Sequence, residues 1–191
     1  MHGASKGKDV KLRKEIAIAI KECMMHENIF GVLVSHGSST VPRYIVDEIN
    51  ALGGNIQNAY GISINELKAA IPCGIGKINV DTDIRLAVTR NMKEFFKNNP
   101  SKRDSASIGG VYQLLEEKKD QFDPRAFLPP IMDTVMYGTI KDDDTAALVE
   151  VIEKGVKEAI GTLIVEFGSF GKAPLVEQVS LEEMIERYKK M

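Results

Sequence analysis

What the chain lacks narrows its class first. Its charges nearly cancel, at a formal −2 over 191 residues, so there is no basic excess to act as a nucleic-acid footprint. No apolar run approaches the roughly 20 residues that a membrane span needs. The N-terminal MHGASKGKD is followed by no apolar segment of the kind that makes a signal peptide. Two cysteines, Cys23 and Cys73, stand far apart and form no CxxC pair. They read as reduced thiols of a cytoplasmic protein, with Cys73 expected as a small core residue. There is no internal repeat and no low-complexity segment. What remains is a chain that is 43% hydrophobic, enough apolar material for a core.

Hydrophobic periodicity predicts a helix from about Asp9 to Asn28, with Val10, Leu12, Ile16, Ile20, Cys23 and Met24 on its stripe and Asp9 as N-cap. The run Ile29 to Val34 predicts a buried strand. VPRYIVDEINALGG then reads as a helix, with Pro42 in its first turn and Gly53-Gly54 as its stop. A shorter helix is expected from Ser63 to Ala70, where Ser63 and Glu66 have capping-box spacing. A strand over Ile75 to Val80 and a helix over Ile84 to Asn98 follow.

Past the polar SKRDSAS, helices fit VYQLLEEKKDQ, the stretch Phe127 to Met136, TAALVEVIEKGVKEAIGTLIVEF and, with Ser180 as N-cap, SLEEMIERYKK. Short apolar strands alternating with helices imply parallel βα units. Two strands do not make a covered parallel sheet, and a complete (β/α)8 barrel takes about 250 residues. The expected fold is therefore α/β, the C-terminal part of a TIM barrel with an appended helical arm. Residues 1–100 hold the βα units, and 101–191 hold the arm and C-terminal helices.

In parallel α/β folds, ligands bind at the carboxyl ends of strands. The first strand ends in Ser35-His36-Gly37-Ser38-Ser39 and the second in Asn79, Asp81, Thr82 and Asp83. Gly37 lets backbone N–H groups approach an anion, and Ser39 and Thr82 offer hydroxyl donors. His36 is open to three readings: metal ligand, general base, or an imidazole hydrogen-bonded in a turn. Asn79 alternates with Ile78 and Val80, which points it toward a barrel interior, where a polar group needs a partner. Asp83 is expected as a helix cap and Asp81 as a site residue. His26 is expected as a favourable cation at a helix C-terminus. Arg125, in FDPRAFLPP, suits either a structural ion pair or a fork presented to phosphate.

VSHGSSTVP, followed by YGISINELKAAIPCGIGKINVDTDIRLA, resembles the last barrel strands of class II, zinc-dependent fructose-bisphosphate aldolases. FDPRAFLPP, EFGSFGKA and LEEMIERY resemble the C-terminal region of the same family. The resemblance is strong over residues 29–98, good over 122–130 and 160–191, and weak over 100–121 and 131–159. It implies that His36 is a zinc ligand at a strand tip. Gly37, Ser39, Asp81 and Thr82 would form the substrate phosphate cradle, with a monovalent cation near it. Asn79 would touch the substrate near the metal, and Arg125 would reach the other phosphate of a neighbouring subunit's substrate.

The N-terminal HGASKG resembles the family's HGxYK motif, which implies His2 as a zinc ligand with Gly3 and Lys6 near phosphate. Ser5 stands where the family carries an aromatic residue. The family's third zinc His and its acid/base Asp lie on earlier strands that have no counterpart here.

The expected activity is aldol cleavage of fructose 1,6-bisphosphate to dihydroxyacetone phosphate and glyceraldehyde 3-phosphate, as the C-terminal half of the enzyme. The expected partners are a phosphorylated sugar, further copies of the chain and an N-terminal half. The alternatives are a non-catalytic interaction module and an aldolase for another ketose bisphosphate such as tagatose 1,6-bisphosphate.

Overall fold

Two short strands and eight α-helices follow one another along residues 10–190, the part of the chain that this computed structural model describes. Strands β1 (Leu33–Ser35) and β2 (Ile75–Ile78) pair in parallel, with Leu33 opposite Ile75 and Ser35 opposite Ile78. Their crossover carries α2 (Arg43–Ala51) and α3 (Ile64–Ala70). This is the parallel βα unit that the alternating pattern predicts, within a mostly helical α/β chain. Both strands are shorter than expected, and β2 stops before Asn79 and Val80.

The run ahead of β1 is not buried. Phe30 is 92% exposed, Val32 63% and Val34 43%. Among the described residues β1 has a single neighbour, β2, so nothing covers its outer side. Helix α1 (Lys14–His26) likewise contains no buried residue, and its stripe residues Ile16 and Ile20 face solvent. Asp9, the expected cap, lies outside the described residues; the helix starts after Arg13, which makes no side-chain cap bond. His26 closes α1, its Nδ1 3.0 Å from Glu27 Oε1.

The backbone N–H of Leu12 instead donates to Glu66 Oε1 at 2.9 Å, and Lys14 pairs with the same carboxylate. Only half of the expected capping box therefore forms. Ser63 Oγ accepts from Glu66 N at 3.2 Å, while the Glu66 carboxylate anchors α1. Cys73 is half-buried, with its thiol 3.4 Å from Ala69 O, rather than a core residue, and Cys23 is exposed.

Pro42 is the residue before α2 rather than inside its first turn. The helix ends as its glycines require: Gly53 takes φ +87° and Gly54 N donates to Ile49 O at 2.9 Å. Helix α4 (Thr82–Asn98) follows β2, and then come α5 (Gly109–Glu117), α6 (Met132–Tyr137), α7 (Asp143–Glu166) and α8 (Leu181–Lys189). Ser180 caps α8 by accepting from Glu183 N at 3.2 Å.

The larger apolar core joins Met92 and Phe96 of α4 to Ile108, Val111, Leu115, Phe127, Ile131 and Leu148, and so draws on both sides of residue 100. Each such side chain contributes roughly 1.5–3 kcal/mol by burial. Ile131 and Leu148, from the stretch 131–159 where the family resemblance is weak, thus belong to the core. A second cluster packs Val46 and Ile49 of α2 against Leu86 and Ala87 of α4.

Helices α4 and α7 meet closely at Gly155, where a Cβ would lie 2.9 Å from the Val88 backbone. Gly155→Val is expected to force the two helices apart and cost about 1–3 kcal/mol. A lower urea midpoint at an unchanged m-value is the expected reading; an unchanged midpoint would show that this contact yields freely. Among the described residues no helix is long and apolar enough to cross a membrane.

Candidate active site

Parallel pairing brings the carboxyl ends of β1 and β2 side by side, so the two polar tips share one edge. Backbone bonds continue beyond the strands. Asn79 N donates to Ser35 O at 2.9 Å, and Ser38 N donates to Asn79 O at 3.3 Å. This ladder places the Asn79 side chain against His36, with Nδ2 3.1 Å from Nδ1 of the ring. With the amide nitrogen donating, Nδ1 accepts and Nε2 carries the ring proton. Turning the amide by 180° presents Oδ1 instead, reverses the tautomer and frees the Nε2 lone pair. Asn79 is therefore positioned to select the His36 tautomer.

Gly37 follows with φ +64°, a left-handed conformation that glycine adopts without strain. The turn it allows sends Ser38 and Ser39 inward, where both are buried. Ser38 Oγ lies 2.5 Å from Ser35 Oγ. Ser39 Oγ accepts from the backbone N–H of Asp81 at 3.2 Å and of Thr82 at 3.0 Å. It thus caps the start of α4 across the two loops and keeps its own proton available to donate. Ser39 and Thr82, expected in one phosphate cradle, are in direct contact.

Asp83 departs from the expected cap of its own helix. It lies inside α4 and is buried, and its carboxylate accepts from Thr40 N at 2.9 Å, from the Thr40 hydroxyl and from Val41 N at 3.5 Å. Burial pushes its pKa up against those hydrogen bonds. The clamp holds a strained link, since Val41 has φ +49°, unusual for a β-branched residue. A neighbouring loop closes on the same place: Ile62 N donates to Ser39 O at 3.1 Å. There a Cβ on Gly61 would stand 2.4 Å from that oxygen.

Asp81 and Arg125 do not touch each other; two residues that sequence reasoning missed connect them. Arg85 Nε donates to Asp81 Oδ1 at 2.8 Å, and its guanidinium also pairs with Asp123. Asp123 in turn accepts from Arg125 Nε at 3.0 Å. The result is a row of alternating charges, Asp81–Arg85–Asp123–Arg125, along one rim. Hydrogen bonding from Arg125, with Arg85 adding its charge, pulls the Asp123 pKa down, and Asp123 raises that of Arg125. The four-residue spacing of Asp81 and Arg85 was a readable signal; the crossing to Asp123 was not. Arg125 keeps 70% of its side chain exposed, so an incoming anion can compete for it.

Of the remaining expected site residues, His2, Gly3 and Lys6 lie outside the described residues. No group of three or more His, Cys, Asp or Glu side chains suited to a metal forms among the described residues. Catalytic zinc takes three protein ligands, and His36 by itself does not make such a site. A cavity of about 680 Å³, bordered by Tyr44, Tyr60, Arg90 and Glu158, reaches Thr40 and Asp83 but is lined by none of His36, Gly37, Ser39, Asn79 or Thr82. The strand-tip cluster thus lies outside that cavity.

Comparison with known proteins points to one family. The family model described as fructose-bisphosphate aldolase class-II matches residues 1–172. A fructose-bisphosphate aldolase of Giardia intestinalis is 33% identical over 98% of this chain and 45% of its own length. One from Xanthobacter flavus is 31% identical over 82% of this chain and 33% of its own length. Fructose-bisphosphate aldolase 2 of Cereibacter sphaeroides is 27% identical over 98% of this chain and 42% of its own length. The chain therefore spans between a third and a half of the relatives it matches.

Proposed function

We propose a function from an established premise: the chain belongs to the class-II fructose-bisphosphate aldolase family. On that premise it supplies the last βα units of a TIM barrel and, with them, one edge of an active site that cleaves fructose 1,6-bisphosphate. The products are dihydroxyacetone phosphate and glyceraldehyde 3-phosphate. The single observation that carries this reading is the shared tip of two parallel strands, where His36 and Asn79 stand 3.1 Å apart beside buried Ser39 and Thr82.

In this reading His36 is one zinc ligand, oriented by Asn79. When bound, zinc would polarise the ketone and stabilise the enediolate as a Lewis acid. The described residues do not by themselves complete such a site, so further ligands and the acid/base group come from elsewhere in the assembled enzyme. Gly37, Ser39 and Thr82 hold one substrate phosphate, which fixes the sugar and lowers the entropy cost of reaction. Arg125 is available to the second phosphate, by exchange with Asp123.

The exposed flank of β1 supports a barrel completed by further strands, whether from the same polypeptide or another. The same exposed flank is also compatible with a second reading, a non-catalytic module that docks on such strands.

The deciding experiment combines this chain with the part of the Giardia intestinalis relative that the match leaves uncovered, in the presence of zinc. Cleavage of fructose 1,6-bisphosphate and of tagatose 1,6-bisphosphate is then measured. The expected result is chelator-sensitive cleavage in the mixture and none with either piece alone. A complex that forms but neither cleaves nor retains zinc would assign the chain to the docking module.

A further inference from the structure

A second, smaller cavity of about 230 Å³ lies where the end of α2, the last turns of α4 and α5 meet. It is remote from the strand tips: Lys93 stands eleven residues along α4 from Thr82, about 16 Å at the helical rise of 1.5 Å per residue. Three cations line it, Lys93, Lys97 and Arg103, against one carboxylate, Glu116.

Lys93 is 5% exposed. Its ammonium donates to Leu115 O at 3.2 Å. That leaves two of its three N–H donors unspent, and no carboxylate pairs with it among the described residues. Burial depresses its pKa, opposed by Glu116. Arg103 spends Nε on Phe96 O at 2.9 Å, and its guanidinium carbon sits 5.2 Å from the centre of the Tyr112 ring. The contact with Phe96 and Tyr112 fixes the direction of the fork while leaving its Nη donors to other partners. Glu116 lies 3.6 Å from Lys119, which reduces its capacity to neutralise the three cations. A buried cation without a counter-ion is unfavourable, and this cavity has the room and the donors for one.

We propose that this cavity is a binding site for a small tetrahedral oxyanion, inorganic phosphate or a short phosphate monoester, held by Lys93, Lys97 and Arg103. A phosphate offers acceptors in several directions and so can meet three separate arms, where a planar carboxylate meets fewer. Its volume admits the phosphate and a short attached chain but not a nucleotide. A bound anion would tie α2 and α5 to α4 at the end away from the strand tips. The site stands independently of the aldolase reading.

The test titrates the full ¹⁵N-labelled chain with sodium phosphate, and separately with glycerol phosphate, at ionic strength held constant with sodium chloride. The amides of Gly53 and Tyr112 report on the cavity. Saturable shifts of both are expected, and the tighter of the two ligands identifies the source of the phosphate. Lys97→Gln combined with Arg103→Gln is expected to weaken binding about tenfold or more, because each removes a charge-assisted hydrogen bond to the anion. Lys97→Gln alone, at an exposed position, is expected to give a smaller loss without disturbing the fold. Ser39→Ala, at the strand tips, is expected to leave the Gly53 and Tyr112 shifts unchanged. Absence of saturable shifts, or shifts of equal strength in the double variant, would overturn the proposal.

Discussion

Replacing Asp83 by Ala is expected to be among the most destabilising single changes in this chain, costing about 2–4 kcal/mol through buried donors left without an acceptor. The carboxylate takes bonds from Thr40 N, Thr40 Oγ1 and Val41 N, 43 and 42 residues away in sequence. Without it the left-handed Val41 loses the contact that holds it, and strain of this kind persists only where the surroundings over-determine it. The loop carrying Ser39 then has no reason to keep its place over the start of α4. Urea denaturation of wild type and variant measures the cost.

A second signature separates this mechanism from simple loss of packing. Burial raises the folded pKa of Asp83 above its ordinary value of 3.8, so the folded state holds that proton more tightly than the unfolded state. Its contribution to stability is complete below the ordinary value and is lost as pH rises through the raised one. The difference between wild-type and Asp83→Ala stability should therefore shrink with rising pH across that window. A difference that is flat across it would show that the carboxylate is not desolvated as described.

The second large effect concerns catalysis in the complemented enzyme. His36→Ala is expected to lower kcat/KM by more than about 100-fold, beyond the 10–100-fold typical when only a partner of a ligating His is lost. Zinc content should fall with it. Asn79→Ala is expected to stay within about 10–100-fold, because it removes the group that sets the tautomer and leaves the imidazole in place. Metal analysis of both variants alongside the kinetics distinguishes the roles. If His36→Ala retains zinc and activity while the assembled complex cleaves substrate, His36 is a turn residue and not a ligand.

Much of the strand-tip geometry was legible because it is local. An apolar run that ends in His-Gly-Ser-Ser declares a turn, and Gly37 takes the positive φ which that turn needs. Ser63 and Ser180 cap their helices through the amide three residues on, a spacing visible in the text. What stayed hidden depends on partners distant in sequence. Nothing near Asp83 announces Thr40, and nothing near Glu66 announces Leu12. Arg85 reaches Asp123 only because α4 lies beside the FDPR turn. Burial failed to be legible for the same reason: the apolar periods of α1 and β1 are real, but among the described residues their apolar sides are only partly covered. Lys93 sits on the packed side of α4, where a reading by residue type would place it in solvent.

The one-sided pairing of β1 sets a kinetic order on assembly. Among the described residues no strand pairs with its outer edge, the usual template for adding a strand, and Phe30 beside it is almost bare. On the proposed reading, two copies of the chain would meet edge to edge at a rate set by the square of its concentration, and a separate completing segment would arrive at a rate set by the product of the two concentrations. Whichever docks first occupies the edge and excludes the other. The yield of closed molecules would then depend on the ratio of the two and on the timing of their synthesis as much as on the affinity of the finished contact.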